Sequence, residues 1–171
     1  MPRDIRRVVT GHTADGRSTF VYDGIAANVR IPRDEPEVAM TDLWVTREAP
    51  ASNAGVADAA DYPMALAPPA RGTVFRIVEL PPDARRSFSN LEHLDGVQAR
   101  AAGKRHPGFH KTHTVDYIVV LEGEVWALVD TGEVLLRRGD CLVQRGTSHA
   151  WSNRSDKPVL LAGVLVDAQP A

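Results

Sequence analysis

The sequence predicts an all-β fold, an antiparallel barrel of short strands. Two observations carry this expectation. Residues 108–153 alternate short apolar runs with glycine turns. Nowhere does the chain show a long run of apolar residues at the i, i+3, i+4 spacing of an amphipathic helix. Short strands at regular spacing with turn signals between them are the pattern of a sandwich or barrel.

The elements follow in order. Residues 6–22 hold two β-prone runs flanking Asp15-Gly16, which predicts a hairpin with His12 exposed at its bend. Residues 24–40 contain Ile25, Val29 and Ile31, then Pro32 and Pro36, and are expected to form an irregular strand and a loop. Leu43-Trp44-Val45 is a short strand. Residues 47–70 are rich in Ala, Pro, Asp and Gly, without periodicity. They are expected to form an excursion or a subunit-contact arm rather than a lid. Residues 72–80 form the next strand, stopped by Pro81-Pro82. Residues 84–106 are polar and basic, with Phe88, Leu91 and Leu94 at near-helical spacing, and are expected to form a half-turn or a strand.

From there the punctuation is regular. Strands are predicted at 117–121, 124–129, 133–136 and 141–143, separated by turns at Gly123, Gly132 and Gly139. A turn at Gly146 precedes His149, and 159–166 is a long final strand. Many strands are apolar on both faces, so both faces should be covered, one by the barrel interior and the other by the N-terminal segments or a second subunit. The expected organisation is an extension, 1–71, packing on the barrel or on a partner subunit, and a barrel, 72–167. A homodimer follows from that arrangement.

Composition narrows the function classes. The chain has 171 residues, with 43% apolar and 25% charged side chains, enough to bury a core. Its formal net charge is −2, and its basic runs are too short for nucleic acid. No apolar run approaches the roughly 18 residues that span a bilayer, and the N-terminus lacks a signal-peptide core. Cys141 is the only cysteine, which excludes an internal disulfide and fits a reducing cytoplasm. It lies in an apolar run and is expected to be a buried, inert thiol.

Two motifs carry a resemblance. The first comprises Gly108, His110, Asp116 and Gly123, with Thr112 where a second histidine would complete a His-x-His pair. The second comprises Gly139-Asp140, Gly146, His149 and Asn153. Together they resemble the cupin superfamily of small β-barrels, with Asp116 in place of the usual Glu and Gln144 near the place of a proline. Closer still is a subgroup of stand-alone bacterial and fungal cupins. Its motifs here read His110-Lys111-Thr112-His113-Thr114-Val115-Asp116-Tyr117 and Gln144-Arg145-Gly146-Thr147-Ser148-His149-Ala150-Trp151. The resemblance implies a cupin-type barrel and names no single activity.

Side-chain parity can be read directly. Alternate residues of a barrel strand point inward, so His110, Thr112, Thr114 and Asp116 share one face. His149 can meet them from across a turn. Two imidazoles and a carboxylate are the minimum set for a facial triad with open positions, and Fe, Mn, Ni or Zn would suit these ligands. His113 could take the place of the missing histidine only if the strand were bulged there. Thr112, Gln144, Trp126 and Trp151 are candidate pocket-lining residues. Tyr117 has the opposite parity to Asp116.

Three readings follow. The first is an enzyme acting on a small oxygenated organic molecule through a divalent metal on His110, His149 and Asp116, by oxygenation, decarboxylation, elimination or isomerisation. The second is metal-free acid–base catalysis, with one histidine as base and Asp116 orienting it. The third is a non-catalytic module that binds a small molecule.

Overall fold

The computed structural model describes residues 3–55, 57–88 and 105–170. Eleven strands make up the described chain: β1 Arg6–His12, β2 Ser18–Ile25, β3 Val29–Arg30, β4 Ala39–Thr46, β5 Thr73–Leu80, β6 Thr114–Glu122, β7 Glu124–Val129, β8 Gly132–Arg137, β9 Cys141–Arg145, β10 His149–Ser152 and β11 Val159–Asp167. A single 3-10 turn, Asp83–Arg85, interrupts them, and no α-helix occurs among the described residues. Among them, no helix is long and apolar enough to cross a membrane.

All pairings are antiparallel. A six-stranded sheet runs β3-β4-β5-β11-β6-β9, and a three-stranded sheet runs β10-β7-β8. The two face each other across the principal core. Leu80, Val120, Val159 and Leu161 from one sheet meet Val125, Ala127 and Leu136 from the other. This is the all-β antiparallel barrel that the alternating runs predict, of the cupin type that the resemblance of the two motifs implies. The pair β1–β2 stands as a separate hairpin with a register shift between Val9 and Thr10.

Strand alternation decides what enters the interior. Along β6, Thr114, Asp116 and Val120 are buried, while Tyr117 keeps 52% of its surface. Gly123 turns β6 into β7 with φ +77°, and a Cβ there would stand 3.0 Å from the Pro158 carbonyl oxygen. Both facts require glycine. Gly146, at φ +58°, turns the chain from β9 towards His149.

Three expectations are revised. Strand β4 begins at Ala39, well before Leu43, because its polar Asp42 pairs with Arg76 of β5 inside the barrel instead of ending the strand. The described residues of 47–70 form no strand, and part of them lies against the body of the protein. The carbonyls of Ala60 and Tyr62 accept from Asn28 Nδ2 at 2.8 and 3.1 Å, and Asp58 pairs with the buried Arg7. The segment is therefore not a free excursion. Cys141 is exposed, because it opens β9 with parity opposite to the inward Gln144. The half-turn or strand expected over 84–106 falls mostly at residues 89–104, outside the described residues.

Candidate functional site

His110 and His149 face each other across an isolated antiparallel bridge. The His110 N–H donates to the His149 carbonyl at 2.9 Å, and the His149 N–H donates back at 3.0 Å. That reciprocal pair sets the two rings side by side, centroids 4.3 Å apart and planes at 55°. Each Nδ1 lies 2.9 Å from a backbone carbonyl oxygen, Gly108 for His110 and Thr147 for His149. A carbonyl can only accept, so each Nδ1 carries the proton and each Nε2 presents a lone pair. Among the described residues neither Nε2 has a hydrogen-bond partner.

Both imidazoles are held neutral. Burial pushes His149 down to about 3, with the His110 ring adding to the effect. Burial also lowers His110, and the nearby Arg86 charge lowers it further. The rings are therefore bases whose lone pairs are available at neutral pH.

Both rings line a cavity of about 130 Å³ inside the barrel, together with Thr112, Asp116 and Trp151. The Trp151 ring meets His149 edge to face, with centroids 6.0 Å apart. Thr112 is buried and shares a 2.7 Å hydroxyl contact with Thr114. Asp116 is 5% exposed, and its Oδ1 has no hydrogen-bond partner among the described residues. Desolvation pushes its carboxyl up to about 6, against the pull of the Thr114 hydroxyl and the Arg76 charge.

Other expected lining residues stand elsewhere. Gln144 is buried, but its Nε2 donates to Thr147 and ties the turn that carries His149. Trp126 packs with Phe109, Leu128 and Ala150 under the Arg154 guanidinium. His113 lies outside the cavity lining. Asn153 of the second motif is a clamp: its Nδ2 donates to the carbonyls of Leu80 and Lys157 at 3.1 and 2.8 Å. The histidine orienters are backbone carbonyls, where sequence reasoning placed Asp116.

Sequence reasoning missed two buried ion pairs in the cavity wall. Arg76 of β5 grips Asp42 at 2.5 and 3.0 Å, both side chains 2% exposed. Arg86 faces Glu35 at 3.5 Å, at 7% and 3% exposure. Parity would have found Arg76, since Val74, Val78 and Leu80 mark the inward face of its strand. No comparable signal marks Arg86, which follows a 3-10 turn.

Two neutral imidazole nitrogens with free lone pairs are donors of a type that a divalent cation accepts. Metal-ligating histidines commonly fix the non-ligating nitrogen on a carbonyl, as both do here. Among the described residues, no three His, Cys, Asp or Glu side chains cluster as a metal-holding group. The protein would thus supply two nitrogens, His110 and His149, with Asp116 elsewhere on the same wall and the remaining positions open.

Comparison with known proteins agrees with this architecture. A cupin domain family model matches residues 96–166. The phomopsin biosynthesis cluster protein C' of Diaporthe leptostromiformis is 32% identical over 162 residues, spanning 90% of this chain and 72% of that one. The cupin-domain-containing oxidoreductase virC of Hypocrea virens is 28% identical over 171 residues, spanning 96% and 76%. Among solved structures, the Schizosaccharomyces pombe Cnp3 cupin domain overlays at a TM-score of 0.46 with 10% identity, spanning 97% of this chain and 89% of that one. With the family model on the second half of the chain and a 32% identical relative along nearly all of it, the protein belongs to the cupin superfamily.

Proposed function

We propose that this cupin is an enzyme acting on a small oxygenated organic molecule, with a divalent cation held by His110 and His149, in the subgroup whose two motifs it carries. The observation that supports this reading is the pair of neighbouring Nε2 lone pairs, each fixed by a carbonyl behind its ring. Several relatives bear the name cupin-domain-containing oxidoreductase, which favours oxidative chemistry among the reactions such a site allows. A bound cation would supply Lewis-acid or oxygen-activating chemistry at its open positions. The chain's own residues do the rest. Gly108 and Thr147 hold the ring tautomers, Trp151 and the aliphatic wall exclude water, and Asp116 accepts a proton or hydrogen bond from a substrate hydroxyl.

Cobalt(II) titration of untagged, chelator-treated protein tests the reading by its absorption bands. One cobalt per chain is expected in the wild type, and none in His110→Ala or His149→Ala. Wild-type protein that takes up no cobalt, zinc, iron or manganese would refute it. The absence of a third clustered ligand among the described residues favours one alternative, in which His149 is a general base without metal. A chelator that abolishes turnover excludes that alternative.

A further inference from the structure

His106 lies shortly before His110 in the chain and takes no part in the cavity lining. Its side chain is 11% exposed and is bonded at both ring nitrogens. Nε2 lies 3.1 Å from Asp83 Oδ2, and the Gly108 N–H donates to Nδ1 at 3.0 Å. A backbone N–H can only donate, so Nδ1 holds a lone pair and Nε2 carries the proton towards the carboxylate. This tautomer is opposite to that of His110 and His149. The Phe88 ring packs edge-on against the imidazole, with centroids 5.0 Å apart.

His106 holds both peptide planes that flank Gly108. Its side chain takes the N–H of the plane before, and its own carbonyl accepts the Phe109 N–H of the plane after, at 3.3 Å. That second plane contains the Gly108 carbonyl, which accepts from His110 Nδ1 at 2.9 Å. Glycine has the widest choice of backbone torsions, so these two bonds decide where its carbonyl points. A Cβ on Gly108 would stand 3.0 Å from His106 Nδ1 and 3.1 Å from its Cε1. The glycine of the first motif is therefore what lets the ring approach.

Asp83 anchors this ring and the other histidine strand together. Its carboxylate also accepts from the Ser152 hydroxyl at 2.6 Å and from the Asn153 N–H at 3.1 Å. Ser152 closes β10, the strand that His149 opens. Burial opposes the Asp83 charge, yet the bonds from His106, Ser152 and Asn153 hold the carboxyl below its ordinary range. One carboxylate thus joins the two segments that carry the cavity imidazoles.

We propose that His106 is a positioning residue for His110: anchored on Asp83, it fixes the Gly108 carbonyl and, through it, the tautomer of the His110 ring. Its purpose rests on the cation site proposed above, but it is read first in metal-free protein, so the two can fail separately. Long-range proton–nitrogen correlation spectra of isotope-labelled, chelator-treated protein show which ring nitrogen of each histidine carries the proton. His106→Gln puts an amide near the place of Nε2 and keeps a bond to Asp83, but leaves the Gly108 N–H without its acceptor. His106→Asn does the reverse, with its Oδ1 at the place of Nδ1. Circular dichroism confirms that each is folded.

The wild type is expected to show His106 protonated at Nε2 and His110 at Nδ1. In His106→Gln the share of His110 with its proton on Nε2 should rise about tenfold, the scale of one hydrogen bond. His149, held by the Thr147 carbonyl, should keep its Nδ1 proton. His106→Asn should leave His110 as in the wild type. Cobalt affinity should follow the same order, about tenfold weaker in His106→Gln. A wild-type His106 protonated at Nδ1, or a His110 that is unchanged in His106→Gln, overturns the proposal. So does an equal response of His110 to both variants, or mixing at His149 as well, since either marks a general loosening. If the tautomers respond as expected and the wild type takes up no cobalt, the positioning of His110 stands and the cation reading falls.

Discussion

Replacing Asp116 with Asn should make stability less dependent on pH, by an amount that follows from the site. Desolvation lifts the Asp116 carboxyl to about 6, against an ordinary value of 3.8. The folded state therefore holds that proton more tightly than the unfolded chain does. The resulting stabilisation is fully present below pH 3.8 and is lost as pH rises through 6. A tenfold gain in proton affinity is worth about 1.4 kcal/mol, so the whole effect is about 3 kcal/mol. Between pH 4.5 and 7.5, about 2 kcal/mol of it is expressed. Arg76 does little to relieve the carboxylate, because its guanidinium is already bound to Asp42. Urea unfolding of chelator-treated wild type and Asp116→Asn across that window is the assay. The wild type should lose about 2 kcal/mol relative to the variant as pH rises. A constant difference would show that Asp116 ionises in the folded state as an ordinary surface carboxylate does, and one of opposite sign that folding favours its charged form; either refutes the reasoning.

Three further outcomes follow from the same structure. Asp42→Ala strands the Arg76 charge in the interior and should cost about 3–5 kcal/mol, measured by urea unfolding; with Arg76→Met added, the total should fall well short of the sum of the two single losses. Gly123→Ala places a Cβ 3.0 Å from the Pro158 carbonyl oxygen at φ +77° and should cost about 1–2 kcal/mol or more by thermal unfolding. Phe75, Val164, Tyr117 and Val143 form one outward, uncharged row in register over four strands, with Phe75, Tyr117 and Val143 exposed. A second copy is expected to cover it, so sedimentation should show a dimer that Tyr117→Glu converts to a monomer.

The two histidines were legible because motif spacing and parity both bear on them. His110 and Asp116 share parity along one line of residues, and the Gly146 turn brings His149 opposite. The hairpin and the late strands up to His149 were legible for a similar reason, since glycine marks each of those reversals. The rest depended on partners distant in sequence. Asp42 looks like a strand breaker until Arg76 is placed beside it. Gln144 has inward parity, yet its amide turns to Thr147, a local hydrogen bond that alternation does not encode. The orienting groups of the histidines are main-chain carbonyls, which no residue pattern reveals. Arg86 sits in a basic stretch among many exposed arginines, and only the fold distinguishes it.

The ion pair between β4 and β5 also bears on where this protein can be divided. The recognisable motifs begin at Gly108, yet the interior they serve is walled partly by Met40 and Leu66, upstream of residue 72. A fragment starting at 72 would leave Arg76 without its carboxylate and bare the hydrogen-bonding edge of β5 to water. The motif-bearing half is therefore not an autonomous module. Grafting it into another protein, or exchanging it between relatives, would have to carry Asp42 and its strand along.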